Sequence, residues 1–145
     1  MVFATENDLH VTYYLNLVED GWDGKTVRVV GPSSDGEPSI IITFHGVTAH
    51  YFGAPNDEAI HGHPLYGAGL RPYSYFEVRD SSWRAELEKM NRVHPHHKKE
   101  HFSDIRHFIF TFHDTTLEVL ARSYSSEVTN LPLVENVERV LKKTT

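Results

Sequence analysis

The stretch HFIFTFHDTTLEVLARSY, residues 107–124, contains two alternating runs of apolar and polar residues on either side of a polar turn. This pattern predicts a β-hairpin. We predict the register that pairs Phe112 with Leu117, because it gathers the phenylalanines with leucine, valine and alanine on one apolar face. A shift of one residue would bring Thr116 or Glu118 among the phenylalanines. The opposite face is mixed, and it is polar near the turn.

Length and composition set limits on the class of protein. At 145 residues the chain has the size of one ordinary domain, so we expect residues 1–145 to form a single domain. The lack of cysteine excludes disulfides, a thiolate nucleophile and a cysteine-ligated zinc site. A formal net charge of −6 disfavours nucleic acid as a partner. Without a long apolar run or a signal pattern, we expect a soluble cytoplasmic protein that does not associate with membranes.

Alternation and turn residues elsewhere predict further strands. Residues 1–9 carry no periodic pattern and are expected to be a loose lead-in. We predict that strands over residues 10–18 and 25–30 form a hairpin and that another strand covers residues 73–79.

A second Thr-Phe-His hairpin is predicted around residues 41–48. This segment matches residues 109–116 in the spacing of Ile, Thr, Phe, His and Thr, and parity pairs Phe44 with Ala49. A real repeat would place His45 and His113 at equivalent positions. Because strands draw on a small set of residue types, chance similarity is the alternative to duplication.

Two amphipathic helices are predicted, over residues 82–92 and 132–143. Asp80, Ser81 or Ser82 is expected to cap the first helix, and its predicted buried stripe runs from Trp83 through Leu87 to Met90, with Glu88 facing solvent. Together these elements predict an α+β fold. We expect one antiparallel sheet of about seven strands in hairpins, strongly twisted or partly closed, with both helices packed on it.

The longest irregular segment is residues 53–72. Loops longer than about 12–15 residues are uncommon in compact domains and tend to be functional or disordered. This loop contains Ile60, Leu65, Tyr66 and Leu70, which a solvated linker would not need. We therefore expect it to be ordered and packed down.

Histidine is the residue type on which chemistry in this chain would depend, since 11 of the 145 residues are histidines. The loop carries His61 and His63, and such a pair can chelate one divalent transition metal with His113 as a third ligand. The alternative is that they are ordinary loop histidines. No pattern in the sequence requires a cofactor.

The polar end of the 107–124 hairpin supplies the remaining candidates. Histidine titrates near neutral pH and can act as a general acid or base. We take His113, His63 and Glu118 as candidate catalytic residues. The candidate binding residues are His61, Tyr66, Arg71 and Asp114. The alternative for Asp114 is that it only caps the turn.

Two functions follow from these features. The favoured one is a non-catalytic ligand- or protein-binding domain, of the immunity or adaptor kind, that meets its partner through loop 53–72 and an acidic surface. The alternative is a histidine-dependent, metal-assisted hydrolase. Its site would lie between loop 53–72 and the turn ends of the two Thr-Phe-His hairpins. The sequence leaves the oligomeric state open.

Overall fold

The computed structural model describes residues 1–17, 20–21, 23–25 and 29–144. Within these ranges the fold is α+β, with eight strands and two α-helices. The strands are β1 (Val2–Ala4), β2 (Asp8–Tyr14), β3 (Ser39–His45), β4 (Ala49–Gly53), β5 (Tyr75–Val78), β6 (Arg106–Thr111), β7 (Thr116–Ala121) and β8 (Ser123–Thr129). The helices are α1 (Ser82–Asn91) and α2 (Leu133–Thr144).

The strands form two open antiparallel sheets, with the orders β1-β2-β3-β8 and β4-β7-β6-β5. The α+β class, the antiparallel pairing and the two helices are therefore confirmed. The prediction of a single, partly closed sheet was wrong, and the described residues form eight strands where about seven were predicted. The chain divides into two compact units, Met1–Thr43 with Tyr124–Thr145 and Phe44–Ser123. That residues 1–145 form one domain stays a prediction.

In the first unit, α2 packs on β2 through a buried polar side chain. The amide nitrogen of Asn136 donates to Ser39 Oγ (2.8 Å) and Thr12 Oγ1 (3.2 Å), and its oxygen accepts from Thr129 Oγ1 (3.1 Å). Asn136 is fully buried. These hydrogen bonds satisfy an amide that would otherwise destabilise the interior, and they fix α2 relative to the sheet.

The N-terminal residues differ from the prediction. Val2–Ala4 forms β1 and pairs antiparallel with β2, so residues 1–9 are not a loose lead-in. A strand of three residues is too short to show alternation, which explains why the pattern missed it. Of the predicted strand over residues 25–30, residues 26–28 lie outside the described residues, and residues 25, 29 and 30 are not part of a strand.

The central hairpin in the second unit confirms the predicted faces but not the predicted register. β6 pairs with β7 so that Phe110 lies opposite Leu117, where we predicted Phe112. The turn comprises residues 112–115. A slip of two residues leaves every side chain on its predicted face, so the apolar pattern cannot detect it and the turn decides the register.

The predicted second hairpin was wrong. β4 pairs with β7, with Ala49 opposite Leu120, and β3 belongs to the other sheet. Gly46 separates β3 from β4 with a φ of +62°, and a Cβ atom there would lie 2.9 Å from Cδ of Arg122. Glycine is needed at this position for both reasons. The similarity of residues 41–48 and 109–116 therefore does not produce two equivalent hairpins.

Loop 53–72 packs on the face of the second sheet that carries Ile109, opposite the face with Phe108 and Phe110. Ile60 and Leu70 are each 4% exposed and contact Ile109 of β6, which is fully buried. Leu65 and Tyr66 are partly buried against the same cluster. The expectation of a packed loop is confirmed, and the packing holds the loop beside the central strands.

Helix α1 begins where predicted, but the side of the helix that is buried differs from the predicted one. Ser81 caps the helix by accepting a hydrogen bond from the backbone N–H of Arg84 (3.1 Å). Met90 is 65% exposed, whereas Glu88 is buried. Arg92 and His97 both hydrogen-bond the carboxylate of Glu88, and this pairing offsets the cost of burying its charge.

Neither helix in the described ranges is both long and apolar enough to cross a bilayer.

Candidate functional site

The second unit contains a cleft of about 500 Å³. We refer to it as the Glu118 cleft. It lies between the Ile109 face of the sheet, loop 53–72 and the first turn of α1. The side chains that matter for its chemistry are Tyr51 (β4), His63 and Leu65 (loop), Trp83 (α1), His107 (β6) and Glu118 (β7).

Two histidines flank the carboxylate of Glu118. His63 Nε2 lies 3.1 Å from Oε1, and His107 Nε2 lies 2.8 Å from Oε2. The histidine side chains are 8% and 4% exposed and that of Glu118 is 18% exposed. The loop, β6 and β7 therefore meet at one partly buried carboxylate.

The hydrogen bonds around His63 fix the position of its proton, and those around His107 match one of its two tautomers. His63 Nδ1 accepts from the backbone N–H of Leu65 (3.1 Å), so it carries no proton and Nε2 donates to Glu118. Ser81 Oγ accepts from the backbone of α1, so its own proton is available to His107 Nδ1, 2.9 Å away. Both neutral rings then donate through Nε2 to the carboxylate.

These donors keep Glu118 ionised. Burial by itself raises the pKa of this carboxyl, but the hydrogen bonds from His107 and His63 together outweigh burial, so the net effect is a pKa below the usual value. Glu118 is therefore a carboxylate at neutral pH.

This geometry suits binding better than proton transfer. All four ring nitrogens of His63 and His107 are engaged, so neither offers a lone pair to a substrate. A carboxylate has about four lone-pair sites, and the histidines use two of those on Glu118. Ser81, His107 and Glu118 are the residue types of a hydrolytic triad, but Ser81 is 4% exposed, caps α1 and does not line the cleft.

Aromatic and charged side chains complete the lining. Tyr51 lies directly opposite Glu118 in the β4–β7 register, and the Trp83 ring packs edge-on against His107 with centroids 5.4 Å apart. Arg79 and Asp80 lie at the rim and are exposed. Asp80 has a φ of 51°, in the left-handed region that non-glycine residues adopt at a cost.

A second cluster joins loop 53–72 to the turn of the central hairpin. Tyr73 Oη donates to Asp57 Oδ2, and His113 Nδ1 lies 2.9 Å from the same oxygen and 3.0 Å from Tyr73 Oη. The hydrogen bonds from Tyr73 and then His113 lower the pKa of Asp57. The hydrogen bond to Asp57 and the charges of Asp57 and Asp114 raise the pKa of His113. The His113 side chain is 70% exposed.

The structure divides the predicted catalytic and metal-binding residues between these two places. His63 and Glu118 are in contact in the cleft, whereas His113 belongs to the Asp57 cluster and His61 is exposed. Among the described residues, no group of three or more His, Asp or Glu side chains could hold a metal ion. The predicted set of His61, His63 and His113 therefore does not form one site.

The predicted binding residues lie outside the cleft lining. The Arg71 guanidinium lies 4.7 Å from the centre of the Tyr66 ring and donates to the carbonyls of Tyr66 and Leu70. Asp114 is 87% exposed at the turn, with Oδ1 3.9 Å from His113 Nε2.

His107, Trp83, Asp57 and Tyr73 were not among the predicted site residues. A signal existed for His107 alone, because it lies on the mixed face of the predicted hairpin. Asp57 lies in the loop, Tyr73 directly follows it and Trp83 lies in α1, and no local pattern encodes where these segments lie relative to the hairpin.

Comparison of the chain with protein-family models, with curated proteins and with solved structures gave no match.

Proposed function

We propose that this chain is a non-catalytic small-molecule-binding protein whose ligand occupies the Glu118 cleft. The observation that carries the proposal is an ionised carboxylate, held by two histidine N–H groups, that lines a concave cleft of about 500 Å³ with unused acceptor sites. Binding clefts of this size typically combine apolar walls with a few placed polar groups. A protein partner would favour a broader and flatter surface.

The packing of loop 53–72 supports the proposal. The loop supplies His63 and Leu65 to the cleft, and the contacts of Ile60 and Leu70 with Ile109 anchor it on the sheet. A cleft whose wall is already packed needs little ordering when the ligand arrives, so less binding free energy is lost.

A fragment screen by ligand-observed NMR tests this function. Ser82 is exposed at the cleft, so Ser82→Trp should fill the opening, and fragments that bind the wild type should lose most of their affinity. Glu86→Trp is the matched control, because Glu86 is exposed on the same helix and does not line the cleft. The proposal fails if no fragment binds the wild type, or if fragments bind the Ser82→Trp protein unchanged.

The second candidate function is histidine-dependent hydrolysis at His113. It is favoured by the Asp57 carboxylate, which lies 2.9 Å from Nδ1 of His113, and by the exposure of the His113 side chain, which is 70%. In such an arrangement a carboxylate orients an imidazole whose Nε2 faces the substrate. Tyr73 stacks on the His113 ring and has a φ of 55°, a strained conformation of the kind that clusters at functional sites.

Hydrolysis of p-nitrophenyl acetate tests this second function. A catalytic His113 should accelerate hydrolysis above the rate given by the same concentration of free imidazole, and Asp57→Asn should lower the rate. Equal rates for the wild type and His113→Asn would rule it out.

A further inference from the structure

We infer that the ligand of the Glu118 cleft carries an organic ammonium group attached to an aromatic or aliphatic body, with the ammonium donating to the Glu118 carboxylate. This inference rests on the proposed function and specifies the chemistry of the ligand.

The charges that line the cleft favour a cation. They are the carboxylates of Glu118 and Asp80 and the guanidinium of Arg79, and with the tautomers assigned above His63 and His107 carry no charge. One negative charge therefore remains without a balancing cation in the lining. Because Glu118 is 18% exposed, a ligand cation can reach it while most of the surrounding water is excluded, which strengthens the charge-assisted hydrogen bond.

The donor and acceptor pattern of the cleft disfavours an anion. The Nε2–H groups of His63 and His107, the donors that flank Glu118, already point to its carboxylate. An anionic ligand beside Glu118 would be repelled by that carboxylate without gaining a hydrogen bond from either ring. An ammonium group would instead use the lone pairs of Glu118 that the histidines leave available.

The aromatic side chains fit the same ligand. Trp83 and Tyr51 both line the cleft, and Tyr51 lies opposite Glu118 on the neighbouring strand. Aromatic faces attract organic cations through the ring quadrupole, and tryptophan does so most strongly. They also bury the apolar body of the ligand, which a small hydrated metal ion does not possess.

Three nearly isosteric probes separate the charge states: phenethylammonium, 2-phenylethanol and phenylacetate. Isothermal titration calorimetry at pH 7 and low salt should show the ammonium binding about tenfold more tightly than the alcohol, with the carboxylate weakest. Glu118→Gln should remove most of the preference for the ammonium over the alcohol, because it keeps the shape and deletes the charge.

Two further variants guard against trivial explanations. Asp80→Asn at the exposed rim should weaken ammonium binding by only about two- to threefold, and it tests the charge without touching the buried hydrogen bonds. Glu100→Gln removes an equal charge from an exposed site that does not line the cleft, and it should leave binding unchanged.

The outcomes distinguish this inference from the proposed function. If the ammonium and the alcohol bind equally and Ser82→Trp abolishes both, the cleft is a binding site and the ammonium inference is overturned. A preference for phenylacetate, or no binding by any probe, also overturns it. The fragment screen then decides separately whether the cleft binds ligands at all.

Discussion

Replacing Glu118 with leucine should destabilise the protein strongly, because it removes the acceptor of two buried N–H groups. His63 Nε2–H and His107 Nε2–H would both lose their partner on side chains that are 8% and 4% exposed. Each orphaned buried donor costs about 1–3 kcal/mol, so the two together cost about 4 kcal/mol at the middle of that range, and the leucine recovers about 1–2 kcal/mol through apolar burial. We expect a net loss of about 2–3 kcal/mol in the free energy of unfolding.

Glu118→Gln should have a much smaller effect, within about 1 kcal/mol. The glutamine oxygen can accept from His63 Nε2–H, whose proton position is fixed by the Leu65 backbone. Its amide can donate to His107 Nε2 if that ring adopts its other tautomer, in which Nδ1–H donates a hydrogen bond to Ser81 Oγ. Every polar atom then keeps a hydrogen-bond partner, so the substitution removes the charge without leaving a buried polar group unpaired.

Urea unfolding, followed by circular dichroism, measures both variants at pH 7. The leucine variant should also melt about 6–12 °C below the wild type, and the glutamine variant within a few degrees of it. ¹⁵N NMR of the imidazoles should show His107 changing tautomer in Glu118→Gln and His63 keeping its own. The reasoning is refuted if the leucine variant is as stable as the wild type, or if the glutamine variant loses as much as the leucine variant.

The pH dependence of the same pair provides an independent check. The pKa of Glu118 is lower in the folded state than its usual value. Its contribution to stability is therefore complete above the unfolded pKa and is lost as pH falls through the folded pKa. Between about pH 5 and pH 3, wild-type stability should fall more steeply than that of Glu118→Gln. Parallel profiles would show that the histidines do not hold the carboxylate in its charged form.

Three other substitutions test separate parts of the second unit. Asp57→Asn should lower the pKa of His113 towards that of an unperturbed histidine, because it removes the carboxylate bonded to Nδ1; NMR titration of the imidazole protons measures this, and an unchanged pKa would contradict it. Ser81→Ala should cost about 1–2 kcal/mol through loss of the α1 cap, whereas Ser82→Ala should be nearly neutral; equal losses in urea unfolding would be inconsistent with capping. Ile109→Ala should cost about 2–5 kcal/mol and increase proteolysis within loop 53–72, whose anchor it removes; protease resistance equal to the wild type would oppose the packing account.

The apolar pattern predicted the faces of the central hairpin but could not predict its register. Phe108 and Phe110 lie with Leu117 and Val119 on one face, as parity requires. Moving one strand by two residues preserves that arrangement, so only the geometry of turn 112–115 distinguishes the registers.

The slip of two residues also explains why the site was only half predicted. The predicted register pairs Glu118 with Thr111, whereas the observed one places it opposite Ile109. His107 precedes Ile109 by two residues on the same face and reaches the carboxylate diagonally. His63 and Glu118 were both among the predicted catalytic residues, together with His113, but the partner that completes the site depends on this register.

Long-range pairing was the part of the fold that local patterns could not supply. Residues 49–53 have the composition of a strand, and the nearest candidate partner along the chain was β3. The structure pairs them with β7, sixty to seventy residues later. That pairing brings Tyr51 opposite Glu118, so the cleft depends on a contact that no short-range signal encodes.

The position of Glu118 would couple binding of the proposed ligand to the stability of the second unit. Its carboxylate joins β7 to the loop through His63, and to the α1 cap through His107 and Ser81. A ligand cation would add a third donor to the same acceptor without displacing either histidine. Because such a ligand binds only when these elements are assembled, it should raise the unfolding free energy in proportion to its occupancy. It should do so most strongly for the opening of loop 53–72, since His63 is the link that this opening must break.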